Sequence, residues 1–154
     1  GFDVAGWTRN TKKLQGITVF TGPKQRAAFL KRTEILVCML PLTPHTKGIL
    51  NTELFAELPK GASIINVGRG QHVIESDLLS ALRSEQISSA TLDVFAEEPL
   101  PTYHPFWKHP RILVTPHIAS LIDPASGGRK IADNILCFEA GNQVKDIVDI
   151  NKGY

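Results

Sequence analysis

Ser63-Ile64-Ile65-Asn66-Val67-Gly68-Arg69-Gly70 is the stretch on which the reading of the fold turns. Its apolar residues run together without polar/apolar alternation, the pattern of a strand covered on both faces in a parallel sheet. It ends in an arginine set between two glycines. Apolar runs bounded by Gly, Pro or polar clusters recur at Phe2–Trp7, Ile17–Phe20, Ile35–Leu40, Ala90–Phe95 and Ile112–Thr115. Between them lie segments of helical spacing. Ile74, Leu78, Leu79 and Leu82 recur at about a turn's interval, and Leu54, Phe55 and Leu58 do so briefly. A last helix is the best marked, with Asp123 as N-cap, Pro124 as first helical residue, Ile131, Ile135 and Phe138 on one face, and Gly141 as the stop. Strands alternating with helices predict an α/β fold built on a doubly wound parallel sheet.

In such a sheet the strand carboxyl ends converge on one crevice, where ligands sit. Three segments place chemistry there: Asn66–Gly70, Asp93-Val94-Phe95-Ala96-Glu97-Glu98-Pro99, and Thr115-Pro116-His117-Ile118-Ala119-Ser120. The glycines beside Arg69 let the backbone bend sharply and approach a ligand. A guanidinium at that point can grip a carboxylate through two parallel hydrogen bonds. His117 is a side chain suited to moving a proton near neutral pH. A carboxylate beside it, Glu98 or Glu97, would orient the ring and favour its charged form. His45, His72, His104 and His109 carry no such context and read as ordinary loop or core histidines. Two roles are open to Asp93, which ends an apolar strand: capping a neighbouring turn, or hydrogen-bonding a cofactor amide. Together the three segments suggest acid–base chemistry on a small carboxylate.

Bulk properties narrow the class. With 154 residues, 42% hydrophobic and 21% charged, the chain is long enough for one domain with a real core and is not of disordered composition. A net charge of +2 without a basic block gives no reason to expect nucleic-acid binding, and no apolar run approaches a membrane span. The two cysteines, Cys38 in an apolar run and Cys137 in the last helix, form no C-x-x-C pair. They are expected to be buried free thiols of a cytoplasmic protein, with no metal site. The loop Glu97–Lys108, rich in proline and carrying Tyr103, Phe106 and Trp107, is too apolar for a free linker. It is expected to pack over the strand ends or meet a partner. The turn Thr8-Arg9-Asn10-Thr11-Lys12-Lys13 holds three cations and no acid. At the end of the second strand of a dinucleotide fold, an acid suits a free ribose 2′-hydroxyl and an Arg suits a 2′-phosphate.

The three segments, in this order and supported by Leu40-Pro41-Leu42-Thr43, resemble the D-isomer-specific 2-hydroxyacid dehydrogenase family along nearly the whole chain. Trp7-Thr8-Arg9, Pro105-Phe106-Trp107 and the terminal Gly153-Tyr154 are most similar to a bacterial subgroup that reduces glyoxylate and hydroxypyruvate. The resemblance implies a Rossmann-like domain over residues 1–121. It implies a C-terminal helix and tail over 122–154 that return toward a substrate domain. It implies that Arg69 binds the substrate carboxylate and polarises the keto group, that His117 donates the proton, and that Glu98, the acid directly before Pro99, is the histidine's partner. Asp93 and Ser120 would lie near the nicotinamide. Leu40, Pro41, Val67 and Gly68 would line the dinucleotide, and Thr8, Arg9 and Lys12 would meet a 2′-phosphate, so that NADP is preferred and NAD possible. The product would be a D-2-hydroxy acid, and the resemblance implies a homodimer, since the family is generally dimeric.

The family's G-x-G-x-x-G turn does not occur in this sequence. In the family it precedes the strand that opens here, and the pyrophosphate rests on it. The expectation is therefore a chain begun inside a longer enzyme, its first strand and Gly-rich turn upstream, and inactive by itself. Two other readings share the three residues. One is a non-catalytic corepressor of the C-terminal-binding-protein type that senses dinucleotide. The other is a sister dehydrogenase of phosphoglycerate, phosphite or formate. The basic turn after Trp7 weighs against the corepressor.

Overall fold

Each apolar run contributes a strand, and the pairings between the described strands are parallel. The computed structural model describes residues 1–144 and 147–150; Gly153-Tyr154 lies outside them. In chain order the elements are β1 (Ala5–Thr8), β2 (Thr18–Thr21), α1 (Gly22–Lys31), β3 (Ile35–Cys38), α2 (Thr52–Glu57), β4 (Ala62–Asn66), α3 (Glu75–Arg83), β5 (Ile87–Leu92), β6 (Ile112–Val114) and α4 (Pro124–Glu139). Short 3₁₀ turns cover Gly70–His72 and Pro105–Lys108. β1 pairs with β2 in one sheet, and β3-β4-β5-β6 lie side by side in the other. The α/β parallel architecture expected from the apolar runs is present.

The strand limits have local causes. β3 stops at Cys38, just short of Leu40-Pro41, where Pro41 has no N–H to give a ladder. β5 starts at Ile87 rather than Ala90, because Ser88 and Ser89 place their hydroxyls against Ser63, and Ser88 also donates to the Ala62 carbonyl. It ends at Leu92, so Asp93 is the first residue past the strand. α4 is capped as its sequence indicates: Asp123 accepts from the Ser126 N–H at 2.9 Å, Pro124 opens the helix, and Gly141 follows it with φ +72°. α1 has no clear apolar stripe in sequence and is not foreseen there. Pro23 in its first turn is its one start signal, and Leu30 anchors it in the core.

Cover on both sheet faces, expected from the lack of alternation, is found on one face only among the described residues. Leu36, Ile64 and Ala90 share a register row and join one core with Leu54 and Phe55 of α2 and Leu78 and Leu82 of α3. The next row, Val37, Ile65, Thr91 and Leu113, points the other way. Val37 is 47% exposed and Leu113 60% exposed. The reason is that α2 and α3 pack beside one another, while α4 buries none of its residues and leaves Ile131, Ile135 and Phe138 exposed. Cys38 is buried, but Cys137 is only half-buried, a correction to the expectation for both thiols. The Glu97–Lys108 loop divides its aromatic and apolar residues: Leu100 and Phe106 enter the core, whereas Tyr103 and Trp107 face outward. No helix of the described residues is long and apolar enough to cross a membrane.

Leu82, fully buried between α3 and the sheet, tests the core. Leu82→Ala is expected to cost about 2–5 kcal/mol in urea-denaturation stability; a loss within error of zero would contradict the packing described.

Candidate active site at the strand carboxyl ends

Past the end of β4 the chain makes the Arg69 turn, and three devices hold it. Asn66 is fully buried; its amide donates to the Arg69 carbonyl at 3.0 Å, and its oxygen accepts from the Gly68 N–H at 3.1 Å. The Arg69 N–H donates to His72 Nδ1 at 3.0 Å. Gly70 sets the distance to the next segment. A Cβ there would lie 1.8 Å from the Phe95 carbonyl carbon and 2.3 Å from the Ala96 nitrogen, so only glycine lets the two backbones approach. The guanidinium itself is exposed, with Nη1 donating to the Gly68 carbonyl at 2.7 Å.

The third segment is held from below by Asp93. One carboxylate oxygen accepts from the Thr115 hydroxyl at 2.5 Å and the Ile118 N–H at 2.9 Å, and the other accepts from the Ala119 N–H at 2.9 Å. His117 sits inside that loop with φ +54°, a conformation unfavourable for a residue with a Cβ and kept only where its surroundings enforce it. Burial alone would raise the Asp93 carboxyl. The bonds from Thr115, Ala119 and Ile118, with the nearby His117, outweigh it and hold the group below the usual carboxylate range. Of the two roles open to Asp93, the geometry is that of a turn cap. The side chain is 2% exposed, and both oxygens take part in the cap.

Glu98 joins the second and third segments. One oxygen accepts from its own loop, the Phe95 N–H at 2.9 Å, and the other meets His117 Nδ1 at 2.8 Å. The bond with His117 first, then the Phe95 N–H, and more weakly the charge of Arg69, hold the Glu98 carboxyl below its usual range. An ionised carboxylate only accepts, so His117 Nδ1 carries a proton and Nε2 is left for other chemistry. The peptide bond from Glu98 to Pro99 is cis. Glu97, the competing acid in sequence, makes no comparable contact among the bonds found at this site.

The structure thus brings Glu98 and His117 into contact, with Arg69 near enough to act on the carboxylate electrostatically. The remaining sequence candidates stand at strand ends: Thr8 as the last residue of β1 with Arg9 and Lys12 after it, Leu40 and Pro41 after β3, Val67 and Gly68 after β4, and Ser120 beyond the His117 loop. Thr8 Oγ1 donates to the Asn10 carbonyl and shapes the basic turn. Sequence reading missed Thr115 and His72 as parts of the site. A hydroxyl before a proline and a histidine three residues after Arg69 carry no sequence signal of their own.

A chain with this sheet is a dinucleotide-fold domain, here with a Glu98–His117 pair beside the Arg69 turn at its strand ends. The sequence profile of the D-isomer specific 2-hydroxyacid dehydrogenase NAD binding domain matches residues 1–119, and the chain belongs to that family. It is 51% identical over its whole length to a glyoxylate/hydroxypyruvate reductase A of Serratia proteamaculans, of which it covers 49%. The chain spans about half the length of the curated relatives it matches. Among solved structures it is similar to a D-isomer specific 2-hydroxyacid dehydrogenase of Xanthobacter autotrophicus in complex with NADPH and MES, with TM-score 0.95, 49% identity, and all of this chain and 64% of that one covered. It is also similar to an NADPH-dependent glyoxylate/hydroxypyruvate reductase of Sinorhizobium meliloti in complex with NADP and sulfate, with TM-score 0.94, 39% identity, and 100% and 50% covered.

Because the folded state holds Asp93 and Glu98 below their unfolded values, both stabilise it above the ordinary carboxyl range near pH 4 and lose that contribution as pH falls further. Asp93→Asn puts an NH₂ against N–H donors. It is expected to cost about 1–3 kcal/mol at pH 7 and to flatten the acid limb of a urea-midpoint-versus-pH curve. An unchanged limb would remove Asp93 from its place under the His117 turn.

Proposed function

We propose that the protein reduces a small 2-keto acid, glyoxylate or hydroxypyruvate, to the D-2-hydroxy acid with NADPH. The observation that carries this reading is the 2.8 Å Glu98–His117 pair at the strand ends where the Arg69 turn also lies. Arg69 grips the substrate carboxylate through its guanidinium and draws electron density from the adjacent keto group. His117 donates the proton on Nε2 to the keto oxygen as that oxygen gains negative charge. Glu98 keeps the ring oriented through Nδ1–H, so the nitrogen that gives up the proton stays aimed outward. Asp93 does not touch the substrate; it holds the loop on which His117 stands.

A bound NADPH supplies the hydride for the keto carbon. The donor set suits that choice: the turn from Thr8 to Lys13 offers Arg9, Lys12 and Lys13 with no carboxylate, which favours a 2′-phosphate over a free 2′-hydroxyl. Thr8, Arg9 and Lys12 would hold the phosphate. Leu40, Pro41, Val67, Gly68 and Ser120 would line the rest. The NADPH dependence of the Sinorhizobium meliloti reductase, with the NADPH and NADP bound in the two similar structures, supports the same preference.

Two experiments on the full-length protein test this. His117→Ala is expected to lower kcat about 10²–10⁴-fold with a small change in KM for the keto acid, whereas Arg69→Ala raises KM and lowers kcat together. Native activity in either variant contradicts the assignment. Replacing both Arg9 and Lys12 with Ala is expected to raise KM for NADPH about tenfold or more, with little effect on KM for NADH; equal effects on the two cofactors would move the 2′-phosphate contact elsewhere.

A further inference from the structure

We propose that His72 is a positioning residue for this site: as the neutral, Nε2-protonated imidazole, it ties the Arg69 turn to the Leu40-Pro41 turn and so sets where the guanidinium starts. The inference rests on the function proposed above and adds to it a residue that touches neither substrate nor cofactor.

The hydrogen-bond partners leave one protonation state. The Arg69 N–H can only donate, so Nδ1, at 3.0 Å, must be an unprotonated acceptor. The Pro41 carbonyl can only accept, so the nitrogen facing it at 3.4 Å, Nε2, must carry the proton. A doubly protonated ring would set Nδ1–H against the Arg69 N–H. His72 is 0% exposed, and its own N–H closes the turn on the Arg69 carbonyl at 3.1 Å. Burial lowers its pKa against the smaller raising effect of its two backbone partners, in keeping with a ring held neutral.

The far end of the tie is itself anchored. The Pro41 carbonyl also accepts from the Thr46 hydroxyl at 2.7 Å, and that hydroxyl accepts from the Thr43 N–H at 2.8 Å. The near end is fitted to the ring. A Cβ on residue 68 would lie 2.9 Å from His72 Nδ1 and 3.0 Å from the Leu40 carbonyl oxygen, so Gly68 is the residue that makes room for the imidazole between the two turns. With both ring nitrogens engaged and the side chain enclosed, His72 has no free atom for acid–base work or metal binding. What it can do is hold the amide of Arg69 at a fixed place relative to the β3 end, where the dinucleotide would lie.

The test is steady-state kinetics of the full-length protein with NADPH and glyoxylate. His72→Leu fills the space without either bond and is expected to lower kcat/KM for the keto acid about tenfold or more. His72→Asn, whose Oδ1 takes the place of Nδ1, is expected to recover most of that loss. Leu82→Ala, distant from the site and similarly destabilising, is expected to keep kcat/KM within about twofold at a temperature where it stays folded. His72→Leu no worse than Leu82→Ala, or no recovery in His72→Asn, overturns the proposal. Imidazole ¹⁵N shifts of the wild-type protein at pH 7 provide a readout that needs no variant to fold: the Nε2–H tautomer is expected for His72, and an Nδ1–H or doubly protonated ring refutes the tie. Absence of keto-acid reduction by the wild-type protein counts against the proposed function instead, and the ¹⁵N result still decides the imidazole's arrangement.

Discussion

The carboxylate of Asp93 is the interaction on which the site depends. Buried beneath the loop after β6, it accepts from a hydroxyl and two backbone N–H groups, all from the four residues after Val114 and Ala119 itself. An enclosed carboxylate without such partners is costly, and a loop whose N–H groups face inward without an acceptor is costly too. Each solves the other's problem. The loop closes over Asp93, and in closing it forces His117 to φ +54°, which brings the ring to Glu98. A buried carboxylate thereby decides where the His117 imidazole stands.

The same logic governs the Arg69 turn with different parts. Asn66 satisfies the turn from inside through both ends of its amide, and His72 takes the amide of Arg69 itself. Gly70 then brings the turn against the Phe95–Ala96 backbone, at a spacing no Cβ permits. Three strand ends are locked together by buried polar groups and one close backbone contact, and the exposed groups, the guanidinium and the imidazole, project from that framework. Preorganisation of this kind fixes charged side chains before a ligand arrives.

Much of this was legible in the sequence because strand interiors and strand ends obey different rules. Every apolar run became a strand, and Asp123, Pro124 and Gly141 marked the limits of α4 by known capping chemistry. Arg69, Glu98 and His117 could be singled out because each follows a strand in a sheet whose ends converge. What could not be read is what depends on tertiary contact. α1 lacks an apolar stripe and owes its place to Leu30 and the packing around it. The open row of Val37 and Leu113 is apolar, so sequence pattern alone reads it as covered, although no described element lies on it. His72 looks like any loop histidine until its two nitrogens are seen between two turns, and the cap that Asp93 makes under the His117 loop shows only in its hydrogen bonds.

The proposed function requires that one crevice hold a keto acid with its carboxylate on Arg69 and its carbonyl oxygen on His117. The most direct measurement is a crystal structure of the full-length protein with NADPH and oxamate, an unreactive mimic of a 2-keto acid. The expected arrangement has the oxamate carboxylate paired with the Arg69 guanidinium and its carbonyl oxygen within hydrogen-bond distance of His117 Nε2, with Glu98 still on Nδ1. Oxamate bound away from Arg69, or its carbonyl facing a group other than His117, would contradict it.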